Sequence, residues 1–311
     1  MKLRIIFLGS ADFGIPALSA IRDAGHEIAG IVTTPPKPKG RGLFPAKSPV
    51  SRYAEQNGIS PVLAPEHLNS EKVTHDLASL QADLFLVVAF RILPPAIFSL
   101  PRLGTFNIHA SLLPRYRGAA PIQRAIQAGE KETGITIFRI DAGIDTGTII
   151  NRRKTSIGPT ETTPELYGRL QMLGAEAIVE SLKHIERGSV AYQKQDPAQV
   201  CPAPRLKKNE AHINWNSPAH RIFNTIRAFK PFPGTHTFYK SKKLNIEWAM
   251  PNYATSNHAP GTVCALSGKG FSVQCRESTL DILEVKPEGR KKMSAHAFLQ
   301  GRSLAEGYLL Q

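Results

Sequence analysis

Cysteine is scarce in this 311-residue chain, and the three present, Cys201, Cys264 and Cys275, are odd in number and show no C-x-x-C spacing. That excludes a disulfide framework and a zinc cluster, and it fits a reducing, cytoplasmic setting. No apolar run approaches the roughly 18 residues of a membrane span, so no membrane partner is expected. The opening stretch MKLRIIFLGSADFG has an apolar core of only about six residues before Asp12, and so reads as a first strand entering a turn, not as a leader. The first turn, GSADFG, is not G-x-G-x-x-G, and neither G-x-x-x-x-G-K-[ST] nor G-x-S-x-G occurs. Neither NAD nor ATP is expected, nor a serine nucleophile on a strand-to-helix elbow. Negative charge is also in short supply. The 25 Asp and Glu face 39 Lys and Arg, a net charge of +14 that favours a polyanionic partner.

What is present divides the chain in two. Through about residue 190, Ile-, Val- and Leu-rich runs (LRIIFLG, EIAGIVTT, DLFLVVAF) alternate with amphipathic stretches such as IPALSAIRDAG and SPVSRYAEQNG. Apolar runs with little polar alternation are how strands buried on both faces of a parallel sheet read. Strand and helix in alternation predict an α/β fold with a doubly wound, Rossmann-like sheet, whose ligands bind at the carboxyl ends of its strands. The last third carries one helical pattern, SPAHRIFNTIRAFK, and then THTFYK, KLNIEWAM, GTVCALSG, GFSVQCR and TLDILEV between turn residues. Short strands so spaced predict a small β-barrel or sandwich. The expected organisation is a catalytic domain over 1–188, a linker over 189–206 and a basic domain over 207–311. From residue 205 onward lie 16 of the 39 Lys and Arg but only 7 of the 25 Asp and Glu. A small basic β domain is a common nucleic-acid-binding module.

The chemistry concentrates in residues 106–121, FNIHASLLPRYRGAAP. Strand side chains alternate faces, so Asn107 and His109 project together while Phe106 and Ile108 go to the other side. Pro114 and Gly118 end the strand, which places the pair where this architecture keeps its site. Further on, DAGIDTG supplies Asp141 and Asp145 in a Gly-rich turn. A carboxylate near an imidazole orients it and favours its charged form. An amide and an imidazolium aimed at one point can stabilise an oxyanion in acyl transfer, with the nucleophile supplied by a substrate.

The pattern Asn107-x-His109-x-Ser111-Leu-Leu-Pro114-x-x-Arg117-Gly118-x-x-Pro121, followed by Asp145-Thr146-Gly147, resembles the signature of the formyltetrahydrofolate-dependent transferases. PKPKGRG after the second strand, RAFKPFPG and PEGRKKMSAHAFLQGR resemble those members that act on initiator methionyl-tRNA, and the resemblance runs along nearly the whole chain. It implies a Rossmann-like catalytic domain, an OB-like β-barrel after it, and 10-formyltetrahydrofolate as formyl donor, with no metal. It implies catalytic roles for Asn107, His109 and Asp145, and donor contacts from Ser111, Leu112, Leu113 and Pro114. The matching basic loop enters the tRNA acceptor stem, which assigns tRNA contacts to Lys37, Lys39, Arg41 and Lys47. The expected product is N-formylmethionyl-tRNA for translation initiation, made by a monomer. A related folate-dependent formyltransferase or hydrolase acting on a small molecule is the alternative. The chain departs from the family at Ala89-Phe90-Arg91-Ile92-Leu93-Pro94, one residue shorter than A-Tyr-Gly-x-Ile-Leu-Pro and with Arg for Gly, and at RGLFPAK, which lacks a Lys pair after Arg-Gly.

Overall fold

The computed structural model describes residues 2–39, 44–254, 256–301 and 304–311. They form two compact units, one of 1–121, 132–156 and 167–203, the other of 122–131, 157–166 and 204–311. The first unit includes residues 189–203, of which Gln193, Gln195 and Ala203 hydrogen-bond to the rest of it.

The first unit is built on a seven-stranded sheet. Its spatial order is Ile149–Ser156, Glu132–Arg139, Thr105–His109, Leu84–Val88, Arg4–Gly9, Glu27–Val32 and Val62–Leu63. Five of the strands run parallel, and Glu132–Arg139 and Ile149–Ser156 join antiparallel at one edge. All five residues of Leu84–Val88 are buried, as are all but the first of Arg4–Gly9, which explains the unbroken apolar runs. The order of strands reverses between Arg4–Gly9 and Leu84–Val88, so the crevice at their carboxyl ends is the place for a ligand. Helices Ile15–Asp23 and Pro49–Gln56 fall within the predicted amphipathic stretches; the second is capped by Ser48, whose hydroxyl accepts from the Ser51 N–H at 3.0 Å. One core packs Ile6, Leu8, Phe85 and Val87 from the central strands against Val73, Leu77 and Ile97.

Asp83 ties the amino edge of this sheet together. Its carboxylate accepts from the Arg4 N–H at 2.8 Å and from Arg102 at 2.6 and 3.0 Å. Burial alone would raise this carboxyl, but the Arg4 backbone donor and the Arg102 guanidinium outweigh it and hold it below its ordinary range. A native pKa below the unfolded value of about 3.9 adds stability above that pH, and the gain disappears as pH falls through the native pKa. Asp83→Asn is thus expected to lower the denaturation midpoint at pH 7, and the difference from wild type should shrink as pH drops below about 4. Urea titrations of both proteins at several pH values check this; a gap that persists undiminished at the lowest pH would refute it.

The second unit carries helix Ala219–Ala228 and antiparallel strands in the order His236–Tyr239, Lys242–Asn252, Thr279–Pro287, Gly270–Gln274 and Val263–Ser267. Its core includes Ile222, Phe223 and Ile226 from the helix, with Leu244, Ile246, Val273, Leu280 and Ile282 from the strands. The chain's last residues join the two edges of this sheet. Gln311 exchanges backbone hydrogen bonds with Phe238 at 2.7 and 3.2 Å, while Tyr308 and Gly307 do so with Val263 at 2.9 and 2.8 Å. That closure leaves the sheet without a free edge between those strands, which makes it a barrel.

Candidate active site

Strand Thr105–His109 lies between Leu84–Val88 and Glu132–Arg139 and delivers Asn107 and His109 at its carboxyl end. His109 is 6% exposed. Its Nε2 lies 2.8 Å from the Tyr116 carbonyl oxygen. A carbonyl only accepts, so Nε2 carries a hydrogen and donates it there. Nδ1 is then the ring nitrogen turned toward Asp145, whose Oδ2 is 3.6 Å away. That distance is within ion-pair reach and beyond a hydrogen bond. The firm bond of this carboxylate goes elsewhere, to the Gly118 N–H at 2.8 Å. The sequence placed a carboxylate against the imidazole; the structure adds that a backbone carbonyl fixes the ring and a backbone N–H fixes the acid.

Of the two aspartates in DAGIDTG, Asp141 is occupied within its own turn, accepting from the Gly143 N–H at 3.0 Å and from the Thr146 hydroxyl. Asp145 is the one that meets the imidazole. It adopts a left-handed backbone, φ 53°, as do Tyr116 at 61° and Ala89 at 47°. Non-glycine residues there cost about 1–3 kcal/mol each and gather where surrounding contacts enforce an arrangement. Gly147 closes the same turn so tightly that a Cβ would lie 1.7 Å from the Arg139 carbonyl oxygen, so no other residue fits.

Asn107 supplies the unfinished part of the site. Its Oδ1 is buried and has no hydrogen-bond partner among the described residues. A buried amide acceptor left unpaired costs about 1–3 kcal/mol, which is the expected state of a group that completes its bonding with a ligand. The site therefore offers an amide and an imidazole on one strand face, backed by a carboxylate.

Ser111, Leu113 and Pro114 are buried, while Leu112 is half-buried. The Ser111 hydroxyl donates to the Arg115 carbonyl at 2.7 Å, and the Leu113 N–H donates to the Thr136 hydroxyl at 3.0 Å. Leu112 is thus the side chain this turn leaves partly open. Arg91, the departure from the family pattern, donates to the carbonyls of Glu66 and Pro65, each at 2.8 Å. It anchors the segment after Leu84–Val88 to the 65–66 loop.

Of the residues assigned to tRNA, Lys37 and Lys39 lie on strand Lys37–Lys39, which pairs with Phe44–Ala46. Lys37 is exposed, Lys39 pairs with Phe44 along the backbone, and the Lys47 ammonium is engaged by Glu55. Arg41 lies outside the described residues. Sequence reasoning did not find Gln195, Tyr116 as a backbone partner, or Arg152. Arg152 donates to Gln193 at 2.6 Å and to the Leu113 carbonyl at 3.3 Å.

Fold and site together define a class. Residues 1–182 match the formyl transferase family and residues 205–303 the formyl transferase C-terminal domain, so the chain belongs to the formyl transferase family. A methionyl-tRNA formyltransferase from Geobacter metallireducens is 43% identical over 309 residues, spanning 99% of this chain and 98% of its own. Another from Hydrogenovibrio crunogenus is 41% identical over 97% of both chains. Among solved structures, the N-formyltransferase from Helicobacter canadensis, bound to folinic acid and dTDP-3-aminofucose, superposes with a TM-score of 0.67 at 20% identity, covering 92% of this chain and all of that one. HypX from Aquifex aeolicus with tetrahydrofolic acid gives 0.64 at 18% identity, covering 96% of this chain and 47% of that one. At these identities the structures show a shared fold.

Proposed function

We infer that the protein transfers the formyl group of 10-formyltetrahydrofolate to the amino group of initiator methionyl-tRNA, giving N-formylmethionyl-tRNA. The observation that carries this reading is the end-to-end match, at 40% identity or above, to proteins named for that activity. The site supports it. As the methionyl amine attacks the formyl carbon, a C–N bond forms and the carbonyl oxygen turns negative. The bond from that carbon to the folate N10 then breaks, and a proton passes from the amine to N10.

In this scheme the Asn107 amide donates to the developing oxyanion, for which preorganised donors are the largest source of acceleration. His109, held through Nε2, presents Nδ1 for proton movement, and Asp145 stabilises the ring when it is charged. Leu112 and the segment 89–94 border the donor. On the tRNA side, Lys37, Lys39, Arg41 and Lys47 contact phosphates of the acceptor stem. The exposed Lys242, Lys243, Arg290 and Lys291 of the barrel add phosphate contacts that give affinity with little sequence reading. Binding of methionyl-tRNA should accordingly fall steeply with salt. We place the protein in the cytoplasm, in keeping with its three unpaired cysteines.

An acceptor panel tests the reading. Initiator methionyl-tRNA, elongator methionyl-tRNA and a nucleotide-linked amino sugar are each offered with 10-formyltetrahydrofolate. Formylation confined to the initiator is the expected result. Preference for the amino sugar, or formate release with no acceptor, would replace it with the small-molecule alternatives.

A further inference from the structure

After helix Thr163–Glu186, residues 189–203 cross the active-site end of the first unit as a strap. Gln193 exchanges backbone hydrogen bonds with Ile149, both at 2.8 Å. Cys201–Pro202 pairs with Arg115–Arg117. Ala203 donates to the Arg117 carbonyl at 2.6 Å and accepts from the Ala120 N–H at 3.1 Å. Gly118 allows this approach, since a Cβ there would lie 2.7 Å from the Ala203 carbonyl oxygen. From 191 to 200 every residue is exposed except Gln195.

Gln195 uses its whole hydrogen-bonding capacity on the site. Its Nε2 donates to two carbonyls, those of Asp145 and Gly147, each at 2.8 Å. Its Oε1 accepts from Arg117 Nε at 3.0 Å and Nη2 at 2.7 Å. Two donors and two acceptor positions exhaust a primary amide. The two carbonyls flank the Asp145-Thr146-Gly147 turn, and the first belongs to the left-handed residue whose carboxylate faces His109. Arg117 lies on the strand just after Tyr116, the residue that fixes His109 Nε2. One amide thus joins the segment that holds the imidazole to the segment that holds the acid.

We propose that Gln195 is a positioning residue for formyl transfer: it clamps the turn carrying Asp145 to the Arg117 segment and so sets the carboxylate against His109. It touches no reacting atom. This rests on the reading of Asp145 given under the proposed function. The amide is required in both halves. A methionine of similar size would lose all four bonds. A glutamate would keep the acceptor for Arg117 but turn a second oxygen toward two carbonyls and repel them.

Gln195→Met and Gln195→Glu are compared with wild type in the full chain, using 10-formyltetrahydrofolate and methionyl-tRNA. Turnover is expressed per folded molecule, counted by titration with a folate donor analogue. Both variants should lose about 10–100-fold in kcat, the scale of a displaced catalytic group, with KM for each substrate within about threefold. In an Asp145→Asn background, Gln195→Met should add no further loss, because residues acting through one group are not additive. A kcat per folded molecule within twofold of wild type in either variant would overturn the proposal, as would a full additional loss in the Asp145→Asn background. Wild-type activity in Asp145→Asn alone would overturn the reading of Asp145 instead, so the two failures are separable.

Discussion

His109→Ala is expected to lower kcat for formyl transfer by about 10³-fold or more, with the dissociation constant for methionyl-tRNA changed by less than about threefold. The imidazole sits nearly enclosed, with Nε2 held by a backbone carbonyl and Nδ1 facing a carboxylate. On the proposed reading, affinity for the tRNA comes from Lys and Arg side chains away from His109, which the substitution leaves in place. Single-turnover formylation beside a filter-binding titration separates the two quantities. A large loss of tRNA affinity would place His109 in binding and break this division of labour.

Asn107→Ala carries the second large effect, a fall in kcat of about 10²–10³-fold, the cost of one oxyanion donor. The same substitution is expected to leave the thermal midpoint unchanged or raise it. In the free protein the Asn107 Oδ1 is buried without a partner among the described residues, so deleting the amide relieves an unpaired group. An amide that stabilised the fold would give the opposite pair of results. Asn107→Asp should be at least as damaging to turnover, because it sets a carboxylate where negative charge develops. A thermal melt and a kcat measured on the same preparations decide the matter; a clear drop in melting temperature with activity retained would show that Asn107 is a structural residue.

Much of this could be read from the chain because burial leaves a simple mark. LRIIFLG and DLFLVVAF became Arg4–Gly9 and Leu84–Val88, strands whose faces are both covered. Asn107 and His109 emerged on one face because the strand period is two. The short runs after PFPG became the strands of the second unit. The parts not legible share a physical cause: they depend on backbone partners or on residues far apart in sequence. Ile149–Ser156 reads as polar because four of its eight residues are exposed on an edge strand. The closing of the barrel by residues 307–311 is made of main-chain bonds that no side chain announces. The carbonyl that orients His109 comes from Tyr116, whose side chain says nothing of it. Residues 189–206 look like a linker because 191–200 is exposed except at Gln195, whose side-chain partners lie 48 to 78 positions earlier.

The central claim is that Asn107, His109 and Asp145 act as one site that moves a formyl group from a folate to the amine of methionyl-tRNA. The most direct measurement follows an isotopic label in the formyl group of 10-formyltetrahydrofolate, with initiator methionyl-tRNA as acceptor, in wild type and in His109→Ala. Label recovered as N-formylmethionine from wild type, and lost with His109→Ala while the tRNA still binds, is the predicted result. Label released as formate, or transferred equally well by His109→Ala, would contradict it.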